Sequence, residues 1–423
     1  MVETRSRSAT ASPARRGPSA RGGAFAEAAA ASAAADGGAA DEAAFGELVA
    51  KASGPMLMPE PSPLDDVPDV PFAQLCHDGT AVTARNWLVK LWRYTVVPTK
   101  QLYLPWMFSG LPTNYLMLTY RTFNRDFGLP NCNDDDLAPL LRDELMPDRG
   151  RMHRERDLGL WYRTRGLDMT YLGVPGLVNF IDARTRWIDD GMKRALDDGI
   201  KQVVIIAAGY DTRAYRLGRP GVKFYEVDLP HASEKKRELV EKLFPADKYP
   251  RPQFIGADLS QVGLADALAP SDFDRSRRTL YLIEGLVYYL PPVAFKSLLS
   301  ALAETAAVGS RLYFDFINLS TMSGDVFHPG FETLMVSVWN KGEYFLSGLD
   351  EREQCVRAVL KKFGFRLHEL VDAKALAARY LSHLEWKDKA PPLPPYFGYI
   401  AGEKALPPLK RIDSVEAPPR RRK

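Results

Sequence analysis

Three acidic residues stand at the ends of three apolar, β-rich runs. Asp228 follows VKFYEV (222–227), Asp258 follows QFIGA (253–257), and Glu284 closes TLYLIE (279–284). A fourth run, QVVIIAAGYDTRAYRL (202–217), ends in a turn carrying Gly209. Each acid suits a different contact. A carboxylate after a second strand can accept both hydroxyl hydrogens of a ribose diol. One after a third strand faces a purine edge, with Leu259 as an apolar wall. Glu284 can hold an ammonium group or sit near a cationic centre. Singly, each acid also fits a helix cap or a solvated loop. Together, after a glycine turn, they describe a ligand with a ribose, a base and positive charge.

The elements that must position these groups alternate strand and helix. The run from Gln202 is β-branched, uninterrupted and too short for a helix, as a buried parallel strand is. Asp211 or Thr212 is placed to cap a helix after the turn. The spacing of Ile181, Ile188, Met192, Ala195 and Leu196 predicts a helix over 180–199, with Gly199 as its stop. A charged helix follows Asp228, with Leu239, Val240 and Leu243 on one face. Another starts at Pro291 and Pro292, with Phe295, Leu298, Leu299 and Leu302 on one face. LYFDFI (312–317) is a fifth strand, and RLHEL (366–370) and YFGYIAGE (396–403) close the sheet. Such alternation means an α/β fold with a doubly wound, mostly parallel sheet, whose ligand crevice lies outside the carboxyl ends of the strands.

The turn itself separates two cofactors. A dinucleotide site wants G-x-G-x-x-G so that the backbone can approach two phosphates. Here the turn reads AAGYDT, with Gly209 alone. S-adenosylmethionine has no phosphate and needs less room. The segments FIDARTRWIDD, QVVIIAAGYDTRAYRL, FYEVDLPHASEKKREL, ADL and IEGLVYYLPP, in this order and spacing, resemble the leucine carboxyl methyltransferase family. The likeness covers about 170–317, with a looser match to Glu403. It implies a Rossmann-like methyltransferase fold and S-adenosylmethionine as cofactor. It also implies Arg184 on the methionine carboxylate, Gly209 under the cofactor and Asp228 on the ribose. Asp258 and Leu259 would then meet the adenine, and Glu284 the methionine end. Many family members carry glycine where this chain has Ala207.

The resemblance further implies O-methyl transfer to a carboxylate, on a peptide C-terminus or a small acid. A carboxylate acceptor is ionised near neutral pH and needs no base. A hydroxyl acceptor would need one, and the candidates are His231, His153, His328, Tyr288 and Tyr289. No residue is singled out as catalytic. Two other readings remain open: a protein that binds the cofactor without turnover, and a nicotinamide-dependent oxidoreductase, which the missing glycines disfavour.

Composition bounds the rest. In 423 residues, 46% are hydrophobic and 26% charged, and the net charge is +3, so nothing argues for nucleic acid. Cys76, Cys132 and Cys355 are far apart and show no metal-ligand or disulfide spacing. Residues 1–71 read as a disordered or targeting segment and Pro-rich linker, 72–169 as a helical, aromatic-rich extension or cap. Residues 170–405 form the methyltransferase domain and 406–423 a basic tail. An Arg- and Ser-rich start allows a plastid or mitochondrial address as the alternative to a cytoplasmic one. Trp87, Leu88, Leu91, Trp92 and Val96 predict an amphipathic helix. Core packing or a lid is its expected role, with membrane contact the less favoured one. Residues 132–165 carry no assignable chemistry, and nothing indicates an oligomeric state.

Overall fold

The computed structural model describes residues 70–78, 87, 88, 91, 95, 111–129, 131–148, 173–328, 330–384 and 391–405. By its contacts the chain divides into residues 1–60 and 61–423. The first unit and the basic tail 406–423 lie outside the described residues, as does His153.

The strands are β1 (Cys76–His77), β2 (Gln202–Ile206), β3 (Lys223–Asp228), β4 (Gln253–Gly256), β5 (Thr279–Ile283), β6 (Arg311–Ile317), β7 (Gly348–Leu349), β8 (Phe365–Val371) and β9 (Phe397–Lys404). Among the described residues seven of them make one sheet in the order β4-β3-β2-β5-β6-β9-β8, while β1 pairs with β7. The first five run parallel, and β9 runs antiparallel to both β6 and β8. The chain therefore starts its sheet at β2, builds outward to β4, then crosses back to place β5 on the other side. Between β2 and β5 the winding reverses, which opens a crevice at their carboxyl ends.

β2 is buried along its whole length. Val203 and Ile205 enter one core, and Val204 and Ile206 the other. The period of two in a strand thus accounts for an unbroken apolar run: both faces are covered.

The helices that matter here are α1 (Thr113–Asp126), α2 (Ala138–Leu145), α3 (Leu177–Asp197), α4 (Arg213–Arg216), α5 (Pro230–Leu243), α6 (Pro292–Thr305), α7 (Phe331–Trp339), α8 (Glu353–Lys362) and α9 (Ala373–Tyr380). α1, α3 and the buried face of α5 join the core containing Val203. α6 and α8 join the one containing Val204. α3 lies close to the sheet because Gly191 has no side chain; a Cβ there would stand 2.4 Å from the Tyr313 ring.

Four expectations need correction. The helix expected over 180–199 begins at Leu177, directly after Gly176, because Leu177 and Val178 are also buried on its inner face. The helix expected after Asp211 is the single turn α4, since its arginines are drawn into buried ion pairs instead of continuing an amphipathic face. The stretch 132–165 holds α2 and the buried polar residues Asn133, Asp135 and Arg142, whose hydrogen bonds and ion pairs hide them from a reading of hydrophobic periodicity. Trp87, Leu88 and Leu91 are helical as expected but 51%, 60% and 52% exposed. An amphipathic pattern defines a face, not what covers it. No described helix is long and apolar enough to cross a membrane.

Candidate functional site

The end of β2 runs straight into the turn Ala207–Gly209, where both Ala207 (φ +53°) and Gly209 (φ +44°) are left-handed. Glycine takes that conformation freely, but alanine does so at a cost of about 1–2 kcal/mol. The surroundings hold the turn in place. The Ala208 N–H donates to Val227 O at 3.3 Å, and the Asp211 N–H donates to Ala208 O at 2.8 Å. The Gly209 N–H donates to Asp228 Oδ2 at 2.6 Å. Asp228 Oδ1 accepts from the Leu229 N–H at 2.7 Å. The acid at the tip of β3 thus ties its own strand end to the turn after β2. Asp211, one residue before the N-cap Thr212, accepts from the Arg213 N–H at 2.7 Å through Oδ1, while the Thr212 hydroxyl donates to Asp135 and makes no cap bond.

Glu284, just past β5, is gripped from both sides. Arg184 of α3 donates from Nε to Oε1 at 3.0 Å, and Arg213 of α4 from Nη1 to Oε2 at 2.7 Å. Burial alone would push this carboxyl up, but the two guanidinium groups outweigh it and hold it well below the usual carboxylate range. Arg213 also meets Asp189 Oδ1 at 2.6 Å and pairs with Asp211. Arg184 reaches Asp315 Oδ2 at 2.8 Å through Nη1, which also faces the Tyr288 hydroxyl at 3.4 Å. Asp315 lies fully buried in the middle of β6, and its other oxygen accepts from the Gly285 N–H at 2.7 Å. A chain of alternating charges therefore links α3, α4, β5 and β6 beneath the crevice.

α1 closes the crevice from above. Arg121 donates from Nη1 to Tyr210 O at 3.2 Å and to Asp135 Oδ2 at 3.4 Å. Tyr115 packs edge-on against Tyr210, with centroids 5.6 Å apart. The space enclosed has a volume of about 630 Å³, within the range of sites that bury a drug-sized ligand.

Arg184, Gly209, Asp228 and Glu284 all line this cavity. Asp258 and Leu259 are not among its lining residues. Asp258 follows the neighbouring β4, and its carboxylate accepts from the Ser260 N–H at 2.9 Å and hydroxyl at 2.7 Å. His231 lines the cavity, whereas His328 lies tilted against the Tyr396 ring, with centroids 5.8 Å apart, and does not. Tyr288 and Tyr289 line it too, and burial pushes both hydroxyls far above their ordinary range.

Asp315, Arg213 and Arg121 escaped the sequence reading. One signal was available: Asp315 is a charge in the centre of the apolar run LYFDFI, and a buried charge needs a partner. The structure shows Arg184 to be that partner. Arg121 gave no signal, because its neighbours in TYRTFNRD are ordinary for an exposed helix.

The fold and the crevice are those of a Rossmann-like α/β protein with its site at the reversal of strand order. Residues 130–303 match the sequence profile of the leucine carboxyl methyltransferase family. Related sequences include two mycobacterial proteins provisionally named S-adenosyl-L-methionine-dependent methyltransferases. That from Mycobacteroides abscessus is 40% identical over 31% of this chain and 44% of its own length. That from Mycobacterium sp. strain JLS is 33% identical over 51% of this chain and 65% of its own length. The matches thus span less than two thirds of either relative's length. Among solved structures, a DUF574-family protein from Streptomyces avermitilis superposes with a TM-score of 0.41 at 15% identity, over 68% of this chain and 97% of that one. That likeness is too loose to bear on function.

Proposed function

We propose that this chain is an S-adenosylmethionine-dependent methyltransferase that transfers the methyl group to a carboxylate oxygen. The observation that carries the reading is the convergence of Arg184, Gly209, Asp228 and Glu284 on one cavity at the point where the strand order reverses. The residues suit the cofactor. Each Asp228 oxygen accepts one backbone N–H, so the carboxylate keeps acceptor capacity for the two hydroxyls of a ribose. Gly209 presents backbone, with no side chain, beneath it. Glu284, kept ionised by Arg184 and Arg213, supplies negative potential for a cationic ligand. Arg184 has Nε and Nη1 committed to protein carboxylates, which leaves Nη2 for the methionine carboxylate. Asp258 and Leu259, one strand further out, are proposed for the adenine.

When bound, S-adenosylmethionine supplies an electrophilic methyl on its sulfonium. The chain's own task is to hold the acceptor oxygen in line with that methyl and to exclude water. Tyr288 and Tyr289 stay protonated near neutral pH and supply no base. A carboxylate needs none, whereas a hydroxyl acceptor would depend on His231, which lines the cavity. In this reading residues 72–169 form a cap on a catalytic domain of 170–405, and α1 is the part of the cap that meets the site.

Transfer of a labelled methyl group to a panel of carboxylates and phenols tests the proposal. Label in base-labile esters supports it. Label confined to phenol ethers, lost in His231→Ala, would reassign the acceptor and make His231 the base.

A further inference from the structure

We propose that the acceptor is an apolar monocarboxylic acid whose carboxylate is oriented by Arg121; the inference rests on the methyltransferase reading above. If Asp228, Glu284 and the Gly209 turn take the cofactor, the far end of the same cavity is left for the acceptor. The rest of the cavity's lining includes Pro112, Met117, Leu118, Tyr289, Tyr344 and Leu346. A second apolar hollow of about 30 Å³, reaching Tyr120, Val174 and Leu334, shares Thr113 and Met117 with the first. Such a lining takes alkyl or aryl groups and offers the amides of a peptide few partners, which makes burying them costly.

Arg121 also lines the cavity, beside the Tyr210 carbonyl that it holds at 3.2 Å, and its pairing is weaker than that of Arg184. It is 9% exposed, and its Nε is buried without a hydrogen-bond partner. Its ion pair with Asp135 Oδ2 is long at 3.4 Å, and that oxygen takes a shorter bond, 2.7 Å, from the Thr212 hydroxyl. Arg184, by contrast, holds two carboxylates at 3.0 and 2.8 Å. A cavity-lining guanidinium whose protein ion pair is as long as that of Arg121 is a seat for a carboxylate. Glu343, which also lines the cavity, repels a second anionic group on the acceptor. In the reaction an acceptor oxygen forms its bond to the methyl carbon as the carbon–sulfur bond breaks. The electron pair stays on sulfur and no proton moves, so S-adenosylhomocysteine and the methyl ester are the only products.

The test is steady-state kinetics of the full chain on straight-chain and aryl monocarboxylic acids, a dicarboxylic acid, the matching alcohols and a short peptide ending in leucine. Calorimetry of S-adenosylmethionine binding runs alongside. Apolar monoacids are expected to exceed the peptide and the diacid in kcat/KM by at least about tenfold. Arg121→Met is expected to raise the acceptor KM at least about tenfold while cofactor affinity changes less than about twofold, with partial recovery in Arg121→Lys. Preference for the peptide or the diacid overturns the proposal. So does an Arg121→Met protein that loses cofactor affinity and keeps its acceptor KM, because Arg121 then serves the cofactor. Should that variant fail to fold, Arg121→Lys and the wild-type acid series still decide. A wild type that does not bind S-adenosylmethionine removes the methyltransferase reading and this proposal together; binding without preference for apolar acids removes this proposal alone.

Discussion

Asp228 carries two duties with one carboxylate. It fixes the turn after β2 through the Gly209 N–H, and it is the acid best placed for a diol. Asp228→Asn keeps the size but removes the charge and turns one acceptor into a donor. Its expected effect is a loss of about tenfold to a hundredfold in S-adenosylmethionine affinity, the worth of a charged hydrogen bond, read by calorimetry. Ala207 makes the opposite kind of prediction. Its left-handed φ of +53° is strained for alanine, so Ala207→Gly relieves roughly 1–2 kcal/mol, against roughly 0.5–1 kcal/mol of added chain entropy. The variant is expected to match or exceed the wild type in denaturant midpoint. A clear loss of stability would show that the methyl group packs usefully. Asp228 and Glu284 could be picked out in the sequence as cavity residues because their position after an apolar run is itself the signal; the same signal picked out Asp258, which does not line the cavity. The partners of Glu284 were not legible: nothing in DTRAYR says that Arg213 turns inward.

At the scale of elements, the strands were readable almost residue by residue, since β-branched runs bounded by Gly, Pro and Asp leave few choices. The short helices α2 and α4 were not, because buried charge pairs hold them and apolar periodicity does not. Those pairs make the elements interdependent. Asp315 joins β6 to α3 through Arg184 and to the end of β5 through Gly285. Asp315→Ala leaves Arg184 buried with less compensation, and an unfolding titration is expected to show a loss of about 3–5 kcal/mol. A loss below about 1 kcal/mol would mean that Glu284 alone neutralises Arg184. The far side of the sheet gives a pH effect. Glu403 of β9 receives a hydrogen bond from His368 Nε2 at 2.8 Å and pairs with Arg366, which holds its carboxyl at about 2, below the ordinary 4.5. A carboxyl depressed in the folded state stabilises above its unfolded value, and the contribution disappears as pH falls from about 4.5 toward 2. The urea midpoint is thus expected to drop between about pH 6 and about pH 3 by more in the wild type than in Glu403→Gln. Equal drops would assign the acid sensitivity elsewhere.

For the whole molecule, topology does what no single residue does. Strands β2, β3 and β5 were placed by sequence, but their order across the sheet was an inference from alternation, and the reversal of β9 was not readable at all. That order brings Gly209, Asp228 and Glu284, each from a different strand end, to one hollow, and lets α1 roof it with Arg121. The central claim is that this hollow receives S-adenosylmethionine and not a dinucleotide. Calorimetric titration of the full chain with S-adenosylmethionine and, separately, with NAD tests it most directly. The account predicts one-to-one binding of S-adenosylmethionine, weakened by Asp228→Asn, and no heat with NAD. Binding of NAD, or binding of S-adenosylmethionine that Asp228→Asn leaves unchanged, would contradict it.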